Sequence, residues 1–250
     1  MSPERAGEAL TELAASFKLP TLAAELVARL QQADFDAVLP LLLEIFELEQ
    51  QARNHRRVDR LRRASKLPSA KTFASFEEQR LPPALARKLR ELARGEFLEQ
   101  AVNVLAFGLP GTGKTHSACA LGHALVEAGH SVLFTPTYRL VQHLLAAKRD
   151  LQLPQALRRL DAYELLILDD IGYVQQDADQ IEVLFTLMAE RYERGSMLIT
   201  SNLVFRQWDR IFRDPMTTAA AIDRLVHHCV ILEFDVESYR AQKKDKKTAP

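Results

Sequence analysis

The chain has little cysteine, no long apolar run and no excess charge of either sign, and each shortage excludes a class of protein. Its two cysteines, Cys119 and Cys229, lie far apart without metal-ligand spacing, so neither a disulfide framework nor a zinc site is expected and both read as small buried residues. No stretch approaches the length of a membrane span. The opening Met1-Ser2-Pro3-Glu4-Arg5 lacks the apolar centre of a secretion signal, which points to a cytoplasmic protein with no membrane partner. Lys plus Arg and Asp plus Glu number 33 each, a balance that argues against a uniformly basic nucleic-acid binder. What remains is 250 residues, 47% of them hydrophobic, enough to bury one substantial core and a small accessory domain.

Against that background one motif stands out. Gly108-Leu109-Pro110-Gly111-Thr112-Gly113-Lys114-Thr115 satisfies Gly-x-x-x-x-Gly-Lys-[Ser/Thr] at every specified position. Glycines let the backbone turn its N-H groups onto a phosphate where a Cβ would block close approach, and the following helix offers its positive end. The candidate ATP-binding residues are therefore Gly108, Pro110, Gly111, Thr112, Gly113, Lys114, Thr115 and His116. Lys114 would supply charge at the β/γ-phosphates and Thr115 a hydroxyl ligand for Mg²⁺. The apolar run Val102 to Phe107 predicts a buried parallel strand before the loop, and Thr115 to Glu127 a helix after it that stops at Gly129.

Leu165-Leu166-Ile167-Leu168-Asp169-Asp170 is an apolar strand that ends in two carboxylates. Asp169 is the candidate Mg²⁺ ligand and Asp170 the candidate base that polarises the attacking water, although paired aspartates also cap helices or start turns. Met197 to Asn202 forms another apolar run with a polar end. The Asn202 amide could both donate and accept beside a γ-phosphate, or simply occupy a turn. Arg224 could reach the site of a neighbouring subunit as an arginine finger, or pair with Asp223. Arg191 is a second arginine candidate, expected at the surface.

Residues 8 to 66 read as helical, with Leu10, Leu13, Phe17 and then Leu22, Leu26, Leu30 at helical spacing. Pro20 opens a second helix and Asp34 is a candidate N-cap for a third. Leu39, Leu42, Leu43, Phe46 and Leu48 give that third helix a broad apolar face. A basic stripe, Arg53, Arg56, Arg57, Arg60, Arg62, Arg63 and Lys66, opposed only by Asp59, is read as its continuation; the stripe could meet DNA or an acidic partner. Residues 67–83 read as a linker or strapping loop. Residues 84–240 alternate helices with five apolar runs, so the fold class is α/β, a five-stranded parallel sheet with helices on both faces. Residues 241–250, with Lys243, Lys244, Lys246 and Lys247, read as a disordered basic tail. Between the second and third strands, Arg139, Lys148 and Arg149 lie on a helix and, with Arg53, Arg56, Arg57 and Arg60, are the candidate contacts to DNA phosphates. Each could equally line a solvated face.

The order of these elements resembles the AAA+ ATPases of the helicase-loader branch, and in particular the IstB-like transposition helper proteins of insertion sequences. The likeness rests on the loop through His116, Leu-Asp-Asp-Ile-Gly-Tyr, Leu-Ile-Thr-Ser-Asn, Phe-Arg-Gln-Trp, Ala-Ala-Ile-Asp-Arg-Leu and Glu-Ser-Tyr-Arg. It implies an AAA+ core at 84–240, a helical N-terminal domain at 1–66 and an ATPase that uses ATP and Mg²⁺. It also implies a homo-oligomer, as a ring or helix, on duplex DNA without sequence preference, and the element's transposase as partner. A replicative helicase loader is the alternative. Two departures stand out. Asp170 replaces the glutamate of many AAA+ proteins, which implies slow hydrolysis stimulated by DNA or assembly. About sixteen residues follow Phe234, too few for the helical lid that carries a second sensor, for which Arg240 is at best a substitute.

Overall fold

The computed structural model describes residues 2–173, 177–204, 207–208, 215–226, 229–236 and 238–239. Phe205, Arg206, Arg240 and the lysine-rich tail lie outside them. The chain divides into two compact units, Met1–Asp59 and Arg60–Pro250.

The first unit is helical: α1 (Pro3–Ser16), α2 (Pro20–Gln32) and the leading part of α3 (Leu39–Ser65), which crosses the division. Ala6, Leu10, Leu39 and Leu43 form its core. Both interhelix corners follow one rule. Lys18 and Asp34 take left-handed conformations at φ +59°. Leu19 N-H then donates to Ala14 O at 3.0 Å, and Phe35 N-H to Leu30 O at 2.9 Å, the six-to-one bond that closes a helix. Asp34 thus terminates α2 rather than capping α3, which starts at Leu39 after a 3-10 turn, Asp36–Val38. The apolar face of α3 is also narrower than its sequence suggests: Leu48 is 59% exposed while Leu43 is buried.

The second unit contains α4 (Pro83–Leu92), α5 (Glu96–Glu99), β1 (Asn103–Gly108), α6 (Lys114–Glu127), β2 (Val132–Pro136), α7 (Thr137–Arg149) and α8 (Leu153–Asp161). These are followed by β3 (Leu165–Asp169), α9 (Ala178–Arg191), β4 (Ser196–Ser201), α10 (Pro215–Val226) and β5 (Cys229–Phe234). The five strands are parallel in the order β2-β3-β4-β1-β5. β1, first in sequence, sits between β4 and β5, so all connections after it leave the carboxyl end of the sheet free to form a site at the point where strand order reverses. Near-continuous burial along β1, β3 and β4 is what two helical layers over a parallel sheet require. Trp208 closes this core with its ring edge against Phe107, centroids 6.3 Å apart.

The segment between α3 and α4 lies along α6. Leu67 packs where Gly122 has no Cβ, the Pro68 carbonyl accepts from His123 Nε2 at 3.1 Å, and Phe76 and Leu81 are buried. Cys119 is buried on α6, where desolvation pushes its thiol up to about 12. Cys229, expected inside, is only partly covered, because β5 is an outer strand of the sheet.

Candidate active site

The loop after β1 has the shape its sequence demands. Gly113 adopts φ +102°, and a Cβ on Gly108 would stand 2.6 Å from the carbonyl oxygen of Phe234. Thr112 Oγ1 donates to Leu109 O at 2.9 Å and cross-braces the turn. Lys114 is buried, its Nζ donating to the carbonyls of Gly108 at 2.6 Å and Leu109 at 2.8 Å, which places its charge at the mouth of the loop.

The strand tips converge beside it. Thr115 Oγ1 and Thr200 Oγ1 both donate to Asp169 Oδ1, each at 2.8 Å. Thr137 Oγ1 donates to the Asp169 carbonyl at 3.1 Å. Asp170 sits in the left-handed region at φ +63°, which costs a non-glycine residue roughly 1 kcal/mol, and its N-H donates to Thr200 Oγ1 at 2.8 Å. Asn202 lies against the turn after it, since a Cβ on Gly172 would collide with Asn202 Oδ1. That oxygen is buried without a hydrogen-bond partner among the described residues. Lys114, Thr115, Asp169, Asp170 and Asn202 are thus gathered at one edge of the sheet. The adjoining hydroxyl and carboxylate of Thr115 and Asp169 are hard oxygen donors of the kind Mg²⁺ takes, with few protein ligands needed.

A wall beside the loop was not foreseen. His116 Nε2 lies 3.1 Å from Thr72 O, which can only accept, and its ring packs on Phe76 at 5.0 Å between centroids. Tyr239, just past β5, donates its N-H to Gly111 O at 2.9 Å and its hydroxyl to Glu77 O at 3.3 Å, with Arg80 4.9 Å over its ring. Rings of Phe76 and Tyr239 both come within 3.5 Å of where a Gly113 Cβ would be. The two phenylalanines of an otherwise polar stretch, Phe73 and Phe76, were the available signal. For Tyr239 it was the Glu-Ser-Tyr-Arg run, in which Arg240 is the charged neighbour.

The two arginine candidates differ. Arg224, on α10, holds its guanidinium 4.6 Å over the Phe185 ring of α9, and no ion pair with Asp223 is found among the described residues. Arg191 is 2% exposed, a correction to its expected surface position. Its guanidinium donates to the carbonyls of Leu160, Tyr163, Glu164 and Ser196 at 3.0–3.2 Å and lies 3.8 Å from Asp161. Burial lowers its pKa to about 10, still far above neutrality. Gly195 permits this, because any Cβ there would strike the guanidinium. Arg191 therefore ties the amino end of the sheet together.

Of the residues read as DNA contacts, Arg53, Arg56, Arg57, Arg60, Arg139 and Arg149 are exposed. Arg53 stacks on Phe17 at 4.1 Å and, with Arg56, bonds Glu49, whose carboxyl is held below its usual range first by the Arg53 hydrogen bond. Arg139 donates to Tyr138 Oη at 2.9 Å. Lys148 is engaged by Asp179 at 2.9 Å and Glu182 at 2.8 Å, both on α9.

A phosphate loop after β1 and carboxylates after β3, in a five-stranded parallel sheet of this order, define an AAA+ P-loop fold. The chain belongs to the IstB-like ATP binding protein family, whose family model matches residues 11–247. An insertion sequence ATP-binding protein of Sinorhizobium fredii is 45% identical over 226 residues, 89% of this chain and 76% of that protein. Among solved structures, AMPPCP-bound DnaA from Aquifex aeolicus is similar with a TM-score of 0.57 at 16% identity, over 73% of this chain and 55% of that one. The DnaC helicase loader is similar with a TM-score of 0.53 at 18% identity, over 68% of this chain and 98% of that one. At such identities the structural likeness shows the fold alone.

Proposed function

We propose that this protein binds and hydrolyses ATP with Mg²⁺, assembles on duplex DNA, and recruits or activates the transposase of an insertion sequence. The observation that carries the catalytic part is the meeting of Thr115 and Asp169 at 2.8 Å beside the buried Lys114, with Asp170 next in the chain. Phosphate oxygens would replace the loop carbonyls as acceptors for Lys114, and the loop N-H groups and the α6 N-terminus would hold the remaining phosphate charge. Thr115 and Asp169 would hold Mg²⁺, which neutralises charge on the β- and γ-phosphates. Asp170 accepts the proton of the attacking water, and Asn202 orients that water or the γ-phosphate through its amide. A base joined through ribose to an α-phosphate at the α6 N-terminus falls against Phe76 and Tyr239, whose rings suit stacking.

Arg224, partly exposed on α10, completes a neighbouring subunit's site in this reading, and the exposed arginines named above meet DNA phosphates in a salt-sensitive, sequence-independent way. Lys148, already held by two carboxylates, contributes least. The name of the 45% identical relative favours a transposition helper over a helicase loader, whose likeness to this chain is one of fold. Lys114→Ala is expected to abolish ATP binding and, in light scattering with ATP and duplex DNA, ATP-dependent assembly. Wild-type assembly by the variant would overturn the mechanism.

A further inference from the structure

The hydroxyl of Thr200 joins the two aspartates. A backbone N-H can only donate, so Thr200 Oγ1 accepts from Asp170 N-H at 2.8 Å, and its one hydrogen is committed to Asp169 Oδ1, also at 2.8 Å. The residue is 1% exposed on β4, a strand paired on both sides, with Ala106 of β1 as its partner in register. On the other side the register Leu168↔Ile199 sets Thr200 next to Asp169. We propose that Thr200 is the positioning residue of the acidic pair, its hydroxyl fixing the orientation of the Asp169 carboxylate and holding Asp170 in its left-handed backbone conformation.

The two hydroxyls on Asp169 Oδ1 are not equivalent. Thr115 belongs to the phosphate loop, and under the ATP reading, on which this inference rests, its oxygen is claimed by Mg²⁺. Thr200 is anchored in the middle of the sheet and keeps its bond, so one carboxylate oxygen of Asp169 stays fixed while the other is available. The same hydroxyl anchors the amide that leads into the turn of direction at Asp170. The positions of metal ligand and base are thereby set by one buried side chain. Asn202, just past the end of β4, packs on Gly172 of the same turn, so β4 and the residue after it hold the segment 169–172 at two points.

The test compares Thr200→Val, which keeps shape but loses the hydroxyl, with Thr200→Ser, which restores it. In the nucleotide-free protein, exchange of the Asp170 amide hydrogen, followed by NMR, should quicken by about tenfold or more in Thr200→Val and return toward the wild-type rate in Thr200→Ser. With a fluorescent ATP analogue, binding in EDTA should match wild type in both variants. The half-saturating Mg²⁺ concentration should rise roughly 10- to 100-fold in Thr200→Val only, the usual loss when a partner behind a metal ligand is removed. Should Thr200→Val fail to fold, Thr200→Cys, a much weaker hydrogen-bonding group of similar size, is read in the same way. Unchanged Asp170 exchange in Thr200→Val, a wild-type Mg²⁺ requirement, or a serine variant no better than valine would each overturn the proposal. The exchange measurement needs no nucleotide. A wild-type protein that fails to bind the analogue would count against the ATP reading and leave that measurement decisive for Thr200.

Discussion

The two ends of the sheet are built from similar polar side chains used in opposite ways. At the amino end the polar side chains bond fixed backbone: Arg191 donates to four carbonyls, and Asn103 accepts from Met197 N-H at 2.9 Å and donates to Leu225 O at 3.3 Å. Glu164 joins them, bonded to Ser131 N-H and His130. At the carboxyl end, hydroxyls and carboxylates are arranged around groups that can exchange partners: Lys114 on loop carbonyls, Thr115 on Asp169, and Asn202 with an unpartnered oxygen among the described residues. Burial of a polar group thus does not by itself mark a site. What separates the ends is whether the bonds are to fixed backbone on several segments or to groups a ligand could replace.

The contrast is broken most severely at Arg191. Arg191→Ala strands four carbonyls and leaves Asp161 without this partner, a cost of about 3–5 kcal/mol. The melting temperature should fall by about 10 °C while ATP affinity of the folded protein is unchanged; loss of affinity without loss of stability would reverse the assignment. Lys114→Ala is the mirror image. Nucleotide binding should fall below detection in calorimetry, a loss of at least about 100-fold or about 3 kcal/mol, with little change in melting. Next in size, Phe76→Ala and Tyr239→Ala should each weaken ATP roughly tenfold, the scale of one lost stacking partner, and leave binding of inorganic tripolyphosphate as it was. Equal loss for both ligands would mean these rings shape the phosphate loop instead.

The smallest effect belongs to Glu164. Partial burial raises its pKa, but hydrogen bonds from His130 and Ser131 outweigh this and depress it. A depressed carboxylate stabilises the fold above its ordinary range, and that contribution fades as pH falls through the lowered value. Glu164→Gln should therefore lower the melting temperature slightly at neutral pH, with the difference shrinking toward zero in acid.

Sequence and structure agree where the chemistry is local. The loop at 108–115, the apolar runs and the carboxylates at 169–170 are read from neighbours in the chain, and the strands start and stop within a residue or two of their apolar limits. They part where a partner lies far along the chain. The acceptors of Arg191 come from α8, the turn after it and β4, so nothing near position 191 shows that a guanidinium is enclosed there. Lys148 looked available because Asp179 and Glu182 lie on another helix. Asp34 looked like a cap because aspartate favours helix starts, whereas its left-handed φ makes it the end of the helix before. Thr200 sat in plain view within a run read mainly for its final asparagine.

The bond from the Tyr239 hydroxyl to Glu77 joins residues 162 positions apart, and the N-H of the same tyrosine braces the loop that Lys114 completes. Contacts so far apart in the chain are slow to form, because loop closure must be met before they contribute. During synthesis the phosphate loop emerges long before position 239, on which its outer wall must wait. A nascent chain that carries the whole motif but stops short of Tyr239 should therefore hold ATP poorly.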